Sequence, residues 1–118
     1  MPHRDDFLRL RDMVSVAEEL LHFTEGKSYE DLTADRGLQY ICIHCLEVLG
    51  EAASRMSSGF RESHPELPWL AMIAMRNRLI HGYFDIELSF VWQTISQETP
   101  LLLSRLRELL ERGWGSDT

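Results

Sequence analysis

The sequence has no long apolar run and no secretory features, and it contains only two cysteines. No apolar run approaches the ~20 residues that a membrane-spanning helix requires, so we expect no membrane association. The N-terminal stretch MPHRDDFLRL has neither the apolar core nor the small-residue cleavage site of a secretory signal. Two cysteines do not make a disulfide scaffold. Together these absences predict a cytoplasmic protein with reduced thiols.

Basic residues are also scarce. The 118-residue chain has 12 Lys and Arg against 19 Asp and Glu, a net charge of −7, which argues against a domain whose whole surface binds nucleic acid. The distribution is uneven, because the segment from Pro68 to Phe84 contains two arginines, one histidine and no acid. That segment carries a charge of +2 and the rest of the chain carries −9, so a polyanion would have to bind locally.

No alternating strand pattern is present, and apolar residues recur instead at the helical spacings of three and four. The first apolar stripe predicts a helix over 4–25. The second stripe predicts a helix over 34–57, which SSGF ends. Between them, the connector GKSYEDLTADRG is rich in turn and capping residues and has room for a short helical turn.

Further helices follow the two prolines of HPELPW. The third continues through LAMIAMRNRLI, Asp85 is suited to cap a fourth, and Thr99-Pro100 is typical of a cap followed by a first-turn proline. We therefore predict an all-α fold with a single domain over 1–118. It should be an up-and-down bundle of four to five helices, with the last helix kinked or restarted at Pro100.

The segment CIHC places Cys42, His44 and Cys45 close together and invites a zinc hypothesis. Structural zinc needs about four ligands, usually from two separated pairs, and the sequence has no second pair. On a helix, Cys42 and Cys45 share the face that carries the apolar stripe of 34–57. We therefore predict buried core thiols and no metal site.

The segment MRNRLIHGYF permits two interpretations. In the first, its basic residues lie at a helix C-terminus, where the macrodipole favours cations, and Gly82 provides a left-handed stop. In the second, Arg76 binds two phosphate oxygens and His81 moves protons, while Asn77 orients them from a position four residues before His81 on the same face. Composition and spacing leave both interpretations open.

The pattern Arg76-x4-His81-x-Tyr83 resembles the R-x4-H-x-Y form of the motif of the HEPN superfamily, and the surrounding chain is similar to the HepT toxins within it. The similarity covers nearly the whole chain, including LGEAASRM in the second predicted helix and VWQTISQETPLLLSRLREL near the C-terminus. The glycine before Tyr83, with Trp92 and Pro100 further on, makes the match more specific than the Arg-to-His spacing alone.

This resemblance implies a helical homodimer whose two motifs face each other across a cleft, acting as an endoribonuclease that uses no metal or cofactor. By position, Arg76 would bind the scissile phosphate of the RNA, His81 would be the general acid and base, and Asn77 would orient them. Tyr83 matches the tyrosine that an MntA-like minimal nucleotidyltransferase, the antitoxin, modifies with AMP to silence the toxin. Glu51, in GEAA, is common in such sequences, but neither the resemblance nor its spacing assigns it a role.

A second hypothesis belongs to another class of protein. The chain would be a non-catalytic subunit of a minimal nucleotidyltransferase complex that helps to hold the substrate or nucleotide. Arg76 and His81 would then bind a phosphate without cleaving it. The sequence favours the enzyme because both motif residues are intact.

Overall fold

The computed structural model describes residues 4–82 and 86–116, with side chains described as far as 112. Regular structure in these residues is entirely helical, which confirms the predicted all-α fold. The elements are α1 (Arg4–Thr24), α2 (Tyr29–Ala34), α3 (Arg36–Arg55), α4 (Ser58–Ser63), α5 (Trp69–His81), α6 (Leu88–Gln93), a π-helical segment (Thr94–Glu98) and α7 (Thr99–Ser116). None of the described helices is long and apolar enough to cross a membrane.

Helix α3 lies at the centre of the bundle. It packs against α1 on one side and against α5 on the other, and α7 covers α1. The apolar stripe of α1 faces this core with Leu10, Met13, Ala17 and Leu20, each no more than 1% exposed. Their spacing of three and four residues places them on one face of the helix, and each large side chain contributes about 1.5–3 kcal/mol when it is fully buried.

Local capping accounts for the chain path between α1 and α3. Gly26 has a φ of 73°, the left-handed conformation that ends a helix and that glycine adopts at low cost. Ser28 and Asp31 then form a capping box, because each side chain accepts the backbone N–H of the other residue, at 3.1 and 2.8 Å. The helical turn expected in this connector is therefore confirmed as α2.

The SSGF segment begins a helix, whereas the sequence predicted only an end. Ser57 caps α4 by accepting the N–H of Phe60 at 3.2 Å. Ser57 is itself held by Asp6 of α1, which is 1% exposed. One Asp6 oxygen accepts the Ser57 backbone N–H at 2.9 Å and the other accepts its hydroxyl at 2.6 Å. The Ser57 cap is a local signal, whereas the contact with Asp6 joins residues too far apart in the sequence to leave one.

Asp6 should therefore contribute to stability well beyond an ordinary helix-terminal acid. Asp6→Ala leaves the Ser57 N–H without its partner, and we expect a loss of about 2–3 kcal/mol in the free energy of unfolding. Asp5→Ala is the matched control, because Asp5 is exposed in the same turn, and it should cost less than about 1 kcal/mol. Urea unfolding followed by circular dichroism measures both, and equal losses in the two variants would contradict the role assigned to Asp6.

The interruption expected near Pro100 is the π-helical segment Thr94–Glu98. Thr99 has helical dihedral angles (φ −62°, ψ −41°), so α6, the π-helical segment and α7 form one continuous helix. The Thr99 N–H bonds to the Thr94 carbonyl five residues back, and the Thr99 hydroxyl donates to the same oxygen at 2.9 Å. Because Pro100 has no N–H to donate, a wider turn is accommodated here. Thr99 is thus a buried helical residue and not the predicted cap.

Candidate active site on helices α3 and α5

Helices α3 and α5 approach each other closely at Gly50. A Cβ atom added there would lie 2.6 Å from the carbonyl oxygen of Met72 and against the side chain of Arg76, so only glycine fits. This approach brings the residues that follow Gly50 in α3 within reach of Arg76 in α5. The glycine of LGEAASRM therefore has a steric role in building the site.

The Arg76 guanidinium is held by three side chains. Its Nη1 donates to Glu51 Oε2 at 2.6 Å and to Ser54 Oγ at 3.1 Å, both on α3. On the other side, Nε and Nη2 both donate to Asn77 Oδ1, at 3.0 and 2.7 Å. Among the described residues, these bonds use four of the five guanidinium N–H groups and leave one on Nη2. The side chain is 19% exposed.

Asn77 accepts hydrogen bonds from the Nε and Nη2 edge of the guanidinium, which is the edge that could bind an oxyanion. The Nε and Nη2 N–H groups point in parallel, and two parallel donors are the arrangement that binds a carboxylate or phosphate in bidentate fashion. Asn77 is exposed, so its amide oxygen sits at the solvent side of Arg76. The structure thus brings Asn77 to Arg76.

His81 is the last residue of α5 and is exposed. Arg76 and His81 differ by about 140° in direction on an ideal helix, whereas Asn77 and His81 differ by only about 40°. The Arg76 Nε and Nη2 groups donate to the side chain of Asn77, and it is Asn77 that shares a side of α5 with His81. Within the described part of the chain, no hydrogen bond joins His81 to Arg76 or Asn77.

The end of α5 differs from the sequence prediction. Gly82 has φ −106° and ψ 31°, so the predicted left-handed stop is wrong. A Cβ atom at Gly82 would lie 2.9 Å from the Arg78 carbonyl oxygen, and the Gly82 N–H donates to that oxygen at 2.9 Å. Glycine is needed here for space rather than for a positive φ. Tyr83 and the predicted capping residue Asp85 lie outside the described residues.

Glu51 is the functional candidate whose place sequence reasoning could not assign. Its Oε1 accepts Arg55 Nε at 2.9 Å while its Oε2 accepts Arg76 Nη1. The hydrogen bond from Arg76, followed by the one from Arg55, lowers the pKa of the Glu51 carboxyl below its usual value. Gly50 is the signal that was available, since a helical glycine can mark the close approach of another backbone.

The remaining sequence candidates lie in the core or at the surface. Cys42 and Cys45 are free and buried, which confirms the predicted core thiols. Burial raises the pKa of the Cys42 thiol to about 11, so it stays protonated and unreactive near neutral pH. His44 lies on the exposed face of α3, away from both. No group of three or more His, Cys, Asp or Glu side chains in the described residues could hold a metal ion.

Comparison with known proteins places this site in a family context. The family model described as "Ribonuclease HepT-like" matches residues 13–109, which include α3 and α5. The "Probable ribonuclease HepT" of Thermococcus cleftensis is 34% identical over 100 residues, which are 85% of this chain and 91% of that protein. The "Putative RNase MJ0125" of Methanocaldococcus jannaschii is 32% identical over 111 residues, 94% of this chain and 96% of that protein.

No solved structure matches the chain. The family match nevertheless covers most of the sequence, and the two relatives align over nearly their full lengths. The chain therefore belongs to the Ribonuclease HepT-like family.

Proposed function

We propose that this protein is a metal-independent endoribonuclease and the toxin of a toxin–antitoxin pair. Arg76, Asn77 and His81 carry the reaction, and a cognate minimal nucleotidyltransferase silences it by adding AMP to Tyr83. The observation that supports this most is the held guanidinium of Arg76, whose Nε and Nη2 donors meet an exposed amide on the side of α5 that His81 shares. The family membership and the ribonuclease names of the relatives support RNA as the substrate.

The chemistry needs a phosphate-binding cation and a proton carrier. An RNA phosphate oxygen displaces Asn77 Oδ1 from the Nε and Nη2 donors of Arg76, and the freed amide turns to the reacting groups. The ribose 2′-oxygen attacks phosphorus as its proton passes to a His81 imidazole. The bond from phosphorus to the 5′-oxygen breaks, and a histidine returns a proton to that leaving oxygen. The products are a 2′,3′-cyclic phosphate and a 5′-hydroxyl end.

Arg76 supplies the electrostatic part of this catalysis. Negative charge accumulates on the phosphoryl oxygens as the 2′-oxygen attacks, and a donor pair fixed in advance stabilises that charge without reorganising. Glu51 and Ser54 hold the opposite side of the guanidinium, so the donor pair is already oriented before RNA arrives. Every step is thus assigned to a protein side chain.

The surface of α5 supports a homodimer. Only Trp69 and Leu79 of this apolar helix are buried, while Leu70 is 76% exposed and Ile80 is 48% exposed. Apolar residues exposed along one helix are typical of a protein–protein interface. We infer a two-fold homodimer with α5 near the axis, which would bring the two copies of His81 into one cleft. One histidine could then act as the base and the other as the acid.

The dimer is tested by its mass in solution. Light scattering at micromolar concentration should give about twice the 13.8 kDa of the chain. Leu70→Glu should shift the protein towards the monomer, because it places a charge in the interface, and Ile80→Glu should do the same. Leu8→Glu is the control, since Leu8 is also exposed, at 37%, but belongs to α1 and not to α5. A stable wild-type monomer would contradict the shared cleft.

A further inference from the structure

The ion pair between Glu51 and Arg76 joins the two helices of the site. The geometry points to Glu51 as a positioning residue: with Ser54, it holds the Nη1 side of the Arg76 guanidinium so that the Nε and Nη2 donors face the RNA phosphate. This inference rests on the proposed endoribonuclease activity. It assigns a role to an α3 residue that lies outside the Arg76-to-Tyr83 motif.

The division of donors on Arg76 is the main support. Glu51 Oε2 and Ser54 Oγ take both N–H groups of Nη1, at 2.6 and 3.1 Å. Neither contacts Nε or Nη2, which are the two donors that meet Asn77. The α3 side chains therefore bind the Nη1 edge of the guanidinium and leave the parallel Nε and Nη2 donors to a group at the protein surface. A phosphate has only to displace an exposed amide.

Ser54 is itself fixed by the fold. Its hydroxyl donates to the Glu51 carbonyl oxygen at 2.7 Å and accepts from Arg76 Nη1. The close approach at Gly50 sets the distance between α3 and α5. Glu51, Ser54 and Arg76 all lie within these two helices, so the contacts among them involve no loop. Groups on rigid elements hold a partner in place more accurately than groups on loops.

The weak effect of such a pair on folding also favours a positioning role. Glu51 is 46% exposed, and ion pairs exposed to this degree stabilise a fold only slightly. A free arginine side chain samples many rotamers, so fixing it beforehand lowers the entropic cost of reaching the geometry in which the reaction occurs. The pair thus does more to order Arg76 than to stabilise the bundle.

Glu51 acts as an anion in this arrangement and not as a proton carrier. Among the described residues, the charged groups that pair with it are Arg76 on α5 and Arg55 on its own helix. Hydrogen bonds from these two arginines lower its carboxyl pKa, so it stays ionised near neutral pH. Each of its oxygens is occupied by one of them. Proton transfer is left to His81.

The test compares two substitutions that each remove one charge from an ion pair. Glu51→Gln weakens the hold on Arg76. Glu18→Gln is the matched control, because Glu18 on α1 pairs with Arg107 on α7 at the same 2.6 Å and is 47% exposed, and neither helix carries a residue of the candidate site. Initial rates are measured with a labelled single-stranded RNA oligonucleotide over a range of concentrations, and light scattering checks that the assembly is unchanged.

The expected result is a loss in kcat rather than in KM. For Glu51→Gln, kcat should fall by about 10- to 100-fold, as misplaced catalytic groups do, while KM stays within about threefold because Arg76 keeps its charge. Glu18→Gln should match the wild type. Unchanged or faster turnover in Glu51→Gln would overturn the positioning role, and so would a rise in KM alone. If wild-type protein cleaves no RNA, the proposed function fails instead.

A second readout does not depend on activity. The Nε–H resonance of Arg76, identified by its absence in Arg76→Lys, should exchange with water slowly in the wild type and markedly faster in Glu51→Gln. Equal exchange rates would overturn the inference whether or not RNA is cleaved. If Glu51→Gln fails to fold, Ser54→Ala removes one of the two Nη1 contacts. It should lower kcat by about fivefold, and an unchanged kcat would contradict the inference.

Discussion

Replacing His81 with alanine should lower the rate of RNA cleavage by about 10²–10⁴-fold, the usual contribution of general acid–base catalysis. The side chain is exposed at the end of α5, so the fold and the melting temperature should stay nearly unchanged. Gel assays on labelled RNA measure the rate, and growth on induction reports toxicity. His44→Ala is the matched control, because His44 is an exposed histidine on α3 outside the site. Full activity without His81 would contradict the proposed mechanism.

The activity should depend on the shape of the Arg76 side chain as well as on its charge. Arg76→Lys keeps the positive charge but loses the parallel donor pair, so we expect a loss of at least about 10²-fold in kcat. Arg78→Lys is the control: Arg78 is exposed and stacks over the Phe90 ring at 4.4 Å, outside the hydrogen bonds that hold Arg76. An Arg76→Lys enzyme as active as the wild type would show that two-point phosphate binding is not required.

Modification of Tyr83 should abolish the activity. Tyr83 lies outside the described residues but follows His81 by two positions. Incubation with the cognate nucleotidyltransferase, ATP and magnesium should add AMP units to its hydroxyl. Each unit brings bulk and negative charge within two residues of His81 in the sequence. Intact-mass spectrometry measures the addition, and the same sample should have lost RNA cleavage.

Tyr83→Phe separates modification from simple complex formation. Nothing in the proposed chemistry uses the phenol, so this variant should cleave RNA at the wild-type rate and escape inactivation by the partner. The non-catalytic binding-subunit hypothesis predicts neither effect, because it has no activity to lose. An unchanged mass of the wild-type chain after incubation with its true partner would contradict the modification model.

The helices were predictable because their signals are local. Apolar residues three and four apart define α1 and α3 within two residues of their observed ends, and Ser28 and Asp31 are near enough in sequence to mark α2. In contrast, the residue that caps α4, Ser57, is held across the fold by Asp6, which accepts its N–H and hydroxyl. The π-helical segment depends on how a continuous helix accommodates Pro100. The long-range contact with Asp6 and the wider helical turn have no signature within a short window of sequence.

The candidate site also combines residues that local sequence identifies with one that only the tertiary structure identifies. Arg76, Asn77 and His81 lie within one helix, so spacing and resemblance could nominate them together. Glu51 reaches Arg76 only because α3 and α5 touch at Gly50. In a chain with 19 acidic residues, composition cannot identify which acid meets that arginine. Only the packing of α3 against α5 identifies Glu51 as the acid that pairs with Arg76.

The chemistry of the RNA ends produced by the wild-type protein tests metal-independent cleavage by the Arg76 and His81 pair most directly. Purified protein, with EDTA present throughout, is incubated with a labelled oligonucleotide, and the fragments are identified by mass. Attack by the 2′-hydroxyl predicts undiminished cleavage with 2′,3′-cyclic phosphate and 5′-hydroxyl ends, and at least about 100-fold slower formation of this product by His81→Ala. Cleavage that stops in EDTA, or fragments that carry 5′-phosphate ends, would contradict that mechanism.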